Sequence, residues 1–263
     1  MSYTVINDDF FDRRKDEWKG VIRLFLKNKS QCVFFRIIFF LFLNENPDVE
    51  YAKNEEQLEH YYCYYRFENV SKWENLKNFV LSNFKGFVIV DDDTNLTLCL
   101  SLYKSDPDTR TYIGDLVYQA KYRGDQEAFN KIFAILERTI VGEFFKFVDY
   151  ISFVPSSKNL ALVLAKYMSY KTKKELVPRL ITINSVIQTK NIKDPVQRLE
   201  AVERKYNIQK VIPETTYRLL IIDDNYQSGT TINTIANKIK WLYNNKIEVY
   251  CFCLTKTIRN KTT

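Results

Sequence analysis

A chain of 263 residues, 46% hydrophobic, 15% aromatic and 27% charged, can fill one large or two ordinary domains and is too apolar for a disordered chain. Its most apolar run, Cys32–Leu43, is too short to span a bilayer as a helix and carries Arg36. No basic-then-apolar leader opens the chain, so no membrane contact and a cytoplasmic location are expected.

The net charge of +7 is unevenly held. Residues 1–110 carry 15 Lys+Arg against 18 Asp+Glu, and residues 111–263 carry 24 against 14. A positive second half suits an anionic ligand, either a nucleic acid or a small phosphorylated molecule. The 5 cysteines form no Cys-x-x-Cys pair, and Cys251 and Cys253 share one strand face, so buried thiols are expected and no metal site is assigned. His60 is the single histidine, which argues against a Ser-His-Asp hydrolase and a multi-histidine metal centre.

In chain order, residues 10–28 read as a charged amphipathic helix, and the apolar run 32–43 as one buried strand or two short ones. "NEEQLEH" is a polar or helical interlude before a Tyr-rich stretch that ends at Phe67. "SKWENLKNFVLSNFKG" opens on a capping box, Ser71 with Glu74, and predicts a helix ending near Gly86. "FVIV" and "LTLCLSLY" flank "DDDTN" as a hairpin. "KSDPDTR" is rich in turn residues and marks a boundary between residues 1–110 and 111–263.

The second half alternates. "LVYQAKYRGDQEAFNKIFAILERTI" reads as helix, Gly124 turn, helix; "FVDYISFVP" is a strand and "NLALVLAKYMSY" a helix. "PRLITI" is a strand, and a long polar stretch follows to Pro213. "YRLLIID" is a strand, "TTINTIANKIKWLYNN" a helix and "IEVYCFCLT" a strand. The expected class is α/β, a largely parallel sheet flanked by helices, preceded by a divergent α+β region. Ligands of such sheets gather at the carboxyl ends of the strands.

One stretch at such an end carries chemistry. "IIDDNYQSGTT" joins a wholly apolar strand to a helix and uses one of only 6 glycines. Asp223 and Asp224 end the strand, and Gln227, Ser228, Gly229, Thr230 and Thr231 open the helix. Backbone N–H groups at a helix start bind phosphate, hydroxyls add donors, and glycine lets the backbone come close. Carboxylates repel a phosphate, so the acids make sense as acceptors of neighbouring hydroxyls, as on a ribose.

This stretch resembles the 5-phosphoribosyl-1-pyrophosphate (PRPP) motif of type I phosphoribosyltransferases, with Ser228 and Gln227 at positions that are more often Thr. "LVYQAKYRGDQEAF" is similar to the Lys-Tyr-x-Gly-Asp entrance of the ComF-like, competence-associated branch. "FVPSSKNLALVLA" matches that branch's strand, Pro, and Asn159 six residues before Ala165. Leu199, Arg204 and Asn207 keep the spacing of its mobile loop, with Val196 in place of Gln. The resemblance spans about residues 112–258, and residues 1–110 lack the branch's Cys-x-x-Cys zinc element.

The resemblance implies a phosphoribosyltransferase-type sheet in which Asp223 and Asp224 hold the ribose hydroxyls and residues 227–231 bind the 5′-phosphate. Pro155, Ser156, Ser157 and Lys158 would form the pyrophosphate loop, where Ser-Ser-Lys replaces the branch's Arg-Gly-Phe. "QTKNIKDPVQRLEAVERKYN" carries Lys190, Lys193, Arg198, Arg204 and Lys205, either as a solvated charged helix or as a lid over pyrophosphate with Lys190 and Arg204 in catalytic roles. The implied reaction is Mg²⁺-dependent transfer of phosphoribosyl from PRPP to a nitrogenous base or related acceptor, with PRPP or a nucleoside monophosphate as the ligand. The alternatives are a non-catalytic PRPP or nucleotide sensor, or a competence or defence accessory acting with nucleic acid or a partner protein.

Overall fold

The computed structural model describes residues 2–11, 15–18, 21–26, 28–43, 50–53, 61–67, 70–185, 192, 194–213, 215 and 217–258. The first half contains β1 (Ser2–Val5), β2 (Lys15–Trp18), β3 (Val21–Leu26), α1 (Lys29–Leu43), β4 (Glu50–Lys53), β5 (Tyr61–Phe67), α2 (Val70–Phe84), β6 (Val88–Asp91) and β7 (Leu96–Leu102). The second half opens with α3 (Tyr112–Tyr118), which runs into a π-helical turn over Gln119–Arg123. It continues through α4 (Gln126–Arg138), α5 (Val141–Phe144), β8 (Tyr150–Phe153), α6 (Leu160–Thr172), β9 (Glu175–Leu176), β10 (Ile181–Ile183), α7 (Pro195–Lys205), β11 (Tyr206–Ile208), β12 (Tyr217–Tyr226), α8 (Thr230–Leu242) and β13 (Ile247–Lys256).

The main sheet has seven strands in the order β1-β6-β7-β13-β12-β8-β9. The five strands from β7 to β9 run parallel, and the β6/β7 hairpin and β1 close one side antiparallel. Alternate residues of β12 enter opposite cores. Leu219 and Ile221 meet Ile232, Ile235, Ala236 and Ile239 of α8. Leu220 and Ile222 lie in the core that α1, α3, α4 and α6 also fill. A strand buried on both faces is apolar throughout, which is why "LLII" reads as a run and not an alternation. The α/β class with a largely parallel, helix-flanked sheet is therefore present.

Three expectations about the first half need correction. Residues 10–28 are not a helix: β2 and β3 occupy much of the segment, and Leu24 and Leu26 are buried two residues apart, the period of a strand. The apolar run 32–43 is a helix. Phe34, Phe35, Ile38 and Phe39 are buried while Arg36 and Phe40 are exposed, which is one helical face and not a strand alternation. Ser71 lies inside the first turn of α2, which starts at Val70, so it is not the residue before the helix. The interlude 54–60, His60 included, lies outside the described residues.

The 88–102 hairpin forms as read. The turn segment ends in an isolated bridge between Lys104 and Arg110. Strands from both sides of that segment lie side by side, β7 pairing with β13 from Tyr250↔Leu96 to Lys256↔Leu102. "PRLITI" supplies β10, which pairs antiparallel with β11 in a separate two-stranded sheet. Cys32, Cys99, Cys251 and Cys253 are buried. No helix among the described residues is long and apolar enough to cross a membrane.

Candidate functional site

β8 and β12 are neighbours in register, Leu219↔Tyr150 to Ile222↔Phe153, so the loops that follow them open at the same edge of the sheet. Each loop leads into a thirteen-residue helix, α6 after β8 and α8 after β12. A cavity of about 630 Å³ lies there. Its lining takes Ser156, Ser157 and Lys158 from the first loop, Asp223 and Asp224 from β12, and Gln227, Ser228, Gly229 and Thr231 from the second loop. Two loops that lead into helix amino termini, each a partial positive charge, thus share one cavity with the acidic pair.

Gly229 takes φ 77°, ψ −11° at the start of α8, a left-handed conformation that favours glycine. Its carbonyl accepts the first helical bond, from the Asn233 N–H at 2.8 Å. Ser228 and Thr230 hydroxyls lie 3.0 Å apart. Thr230 faces a second cavity of about 420 Å³, on the α7 side of the loop, which Ser228 also lines. The base of the loop is pinned by Lys256, whose ammonium donates to the carbonyls of Gln227 at 3.0 Å and Thr257 at 2.7 Å. Asn225 Oδ1 accepts from the Thr255 and Thr257 hydroxyls, each at 3.0 Å.

The acids sit inside the strand and not beyond it, because β12 runs on to Tyr226. Asp224 is 3% exposed and Asp223 is partly buried. Asp223 Oδ1 accepts the Asp224 N–H at 2.8 Å. Burial first, and then the Asp224 carboxylate, push the Asp223 carboxyl up to about 7, against the opposing pull of Lys121. Asp224 Oδ1 receives the Lys121 ammonium at 2.6 Å, and its Oδ2 is buried with no hydrogen-bond partner. Ser156 Oγ is likewise buried and unpartnered. Burial opposes the charge on Lys121, but Asp224 and Asp223 outweigh it and hold the ammonium above its ordinary range.

The opposite wall comes from α7 and β11. Arg198, Lys205 and Tyr206 line the cavity. Burial raises the Tyr206 phenol, and the nearby Asp223 and Asp224 charges raise it further. Arg204 does not line the cavity: its side chain is 76% exposed and stands 4.0 Å from Glu200 on α7's outer face. Lys190 lies outside the described residues. Pro155 precedes the lining residues of its loop without joining them.

Site residues that the sequence did not single out are Lys121 and Tyr122, from the π-helical turn, and Asn225. The Lys-Tyr-x-Gly-Asp stretch was visible as a motif. Gly124 at φ 68° ends the π-helical turn, and the Asp125 carboxylate caps α4 through the N–H groups of Glu127 and Ala128. The second acidic stretch has a different purpose. Asp92 accepts from the hydroxyls of Thr94 at 2.6 Å, Thr97 at 2.8 Å and Tyr226 at 2.9 Å, and so props the end of β12.

The chain matches no protein-family model and no curated protein. It is similar to solved structures of low identity. An adenine phosphoribosyltransferase is 15% identical, with 54% of this chain and 75% of that one covered at a TM-score of 0.35. The Saccharomyces cerevisiae adenine phosphoribosyltransferase, complexed with an imino-altritol bisphosphate and adenine, is 14% identical over 52% of this chain and 72% of that one, TM-score 0.34. Orotate phosphoribosyltransferase from Aeropyrum pernix is 16% identical over 51% and 62%, TM-score 0.31.

Proposed function

We propose that this chain is a phosphoribosyltransferase of the ComF-like branch, transferring phosphoribosyl from PRPP to a nitrogenous base with release of pyrophosphate. The observation that carries the reading is that three kinds of group line one cavity. The loop before α6, the loop that opens α8 and the Asp223–Asp224 acceptors all contribute to it. A sugar that carries hydroxyls and phosphate groups at both ends suits that combination. An isolated phosphate site would gain nothing from two carboxylates.

In this reading the 5′-phosphate takes the Ser228–Thr231 loop, and the unpartnered Asp224 Oδ2 accepts a ribose hydroxyl. The diphosphate lies toward Ser156, Ser157 and Lys158. Transfer breaks the C1–O bond, whose electron pair leaves with pyrophosphate. It forms a C1–N bond from the acceptor's lone pair, and the acceptor loses its N–H proton. Positive charge develops on the sugar ring above the acid pair, and Lys158, Lys205 and Arg198 face the negative charge that departs. The protein's contribution is position and electrostatics.

Mg²⁺ fits as an ion carried mainly by the ligand. Asp223 and Asp224 offer oxygens of the kind it prefers, and no cluster of three His, Cys, Asp or Glu gathers among the described residues. When bound, the ion neutralises the diphosphate. A PRPP or nucleotide sensor is the second reading, favoured by the Ser-Ser-Lys sequence and the exposure of Ser157 and Lys158 in the diphosphate loop. Calorimetric titration with PRPP and Mg²⁺, followed by pyrophosphate release over a panel of bases, separates the two. Release with one base supports the transferase, binding without release supports the sensor, and no binding overturns both.

A further inference from the structure

The acid pair poses an electrostatic problem that the fold solves with its own cation. Two adjacent carboxylates in a partly buried cavity repel each other unless a positive charge is close. Lys121 supplies it from 103 residues away in the chain, its ammonium 2.6 Å from Asp224 Oδ1. Both side chains are nearly enclosed, 11% exposed for Lys121 and 4% for Asp224. The delivery depends on an uncommon backbone. The helix widens into a π-helical turn at Gln119–Arg123, a distortion that recurs at functional sites, and Gly124 ends it at φ 68°.

Asp224 is thereby divided. One oxygen is committed to Lys121, and the other is buried and waits for a donor. A divalent ion that came to the committed oxygen would meet the charge of the ammonium already donating to it, so that oxygen is a disfavoured metal ligand.

We propose that Lys121 is the resident counter-ion of the acid pair and stands where a divalent cation would otherwise be needed. A sugar phosphate therefore docks its hydroxyls and its phosphate in this cavity without metal. The inference rests on the phosphoribosyl reading and refines it, since magnesium then serves the diphosphate end of the ligand alone. Lys121 acts through Asp224 and is a positioning residue.

Calorimetric titration with ribose 5-phosphate, which carries no diphosphate, tests this in EDTA and in excess Mg²⁺. Wild-type affinity should agree within about twofold in the two buffers. Lys121→Met keeps the length of the stem and removes the charge. It should lose roughly tenfold in EDTA, the effect of one charge-assisted contact, and regain a good part of that in Mg²⁺. Lys121→Arg should stay near wild type in both buffers. A lysine that merely filled space would give neither the rescue by metal nor the difference between Met and Arg. Should Lys121→Met fail to fold, the wild-type comparison and Lys121→Arg still decide. Wild-type binding that requires Mg²⁺, or Lys121→Met binding unchanged in EDTA, overturns the counter-ion role. Absence of ribose 5-phosphate binding by the wild type in both buffers overturns the phosphoribosyl reading itself.

Discussion

Asp223→Asn should stabilise the protein, and by an amount that grows with pH. Asp223 titrates at about 7 in the fold against 3.8 in the unfolded chain, raised by burial and then by Asp224. Because the folded value is the higher one, the folded state binds the proton more tightly than the unfolded state. The stability this gives is complete below pH 3.8 and is lost as pH rises through about 7. At 1.4 kcal/mol per pH unit, ionising Asp223 in the fold costs about 4 kcal/mol. Most of that builds up between the two values, so the advantage of Asn over Asp should widen by about 3 kcal/mol from pH 4.5 to pH 8. Urea unfolding of both proteins at the two pH values reads the change directly as the shift in midpoint. The same variant should lose ribose 5-phosphate affinity, because an amide accepts a sugar hydroxyl less strongly than a carboxylate does. A stability difference that stays constant within about 0.5 kcal/mol across that range would refute the burial of Asp223 beside a second carboxylate.

Gly229→Ala places a side chain at φ 77°, so it should cost about 1–2 kcal/mol in urea unfolding. It should weaken ribose 5-phosphate binding by roughly tenfold in calorimetry, since the Cβ enters the phosphate approach. A fragment beginning near Thr109 should be insoluble, because it removes β7 and leaves the backbone of β13 unpaired along Tyr250–Lys256. Soluble yield and gel filtration check this, and a monodisperse fragment that binds PRPP would show that residues 111–263 stand alone.

The local parts of the site were legible because they are contiguous. An apolar strand, two acids, a glycine and hydroxyls within eleven residues constrain one another, and Asp223, Asp224, Gln227, Ser228, Gly229 and Thr231 line one cavity while Thr230 faces the next. The helix at 29–43 was misread because a short apolar run has no period of its own; only the burial of Phe34, Phe35, Ile38 and Phe39 around exposed Arg36 supplies it. The turn at 104–110 carries the local marks of a boundary, and the pairing of β7 with β13 across it is non-local and leaves no local signal. The basic stretch offers Lys190, Lys193, Arg198, Arg204 and Lys205, with Lys190 and Arg204 expected in catalytic roles, and charge alone does not rank them. On α7, it is the helix face that decides, and Arg198 and Lys205 face the cavity while Arg204 faces water.

The two acidic stretches show what residue types alone leave open. Asp92 and Asp224 each follow another aspartate and a buried hydrophobic strand, and each is drawn into the protein. Asp92 is saturated, since both its oxygens accept hydroxyls from Thr94, Thr97 and Tyr226. A fully bonded carboxylate has no further capacity for a ligand, and partial burial raises the Asp92 carboxyl above its ordinary range. Asp224 retains one oxygen without a donor, while the other accepts the Lys121 ammonium. An unmet buried acceptor costs roughly 1–3 kcal/mol, which a ligand hydroxyl can recover on binding. The tyrosine of β12 connects the two, for the same strand that carries Asp224 into the cavity sends Tyr226 back to Asp92. One acidic stretch is thus spent on fixing the strand, and that rigidity lets the other remain incomplete.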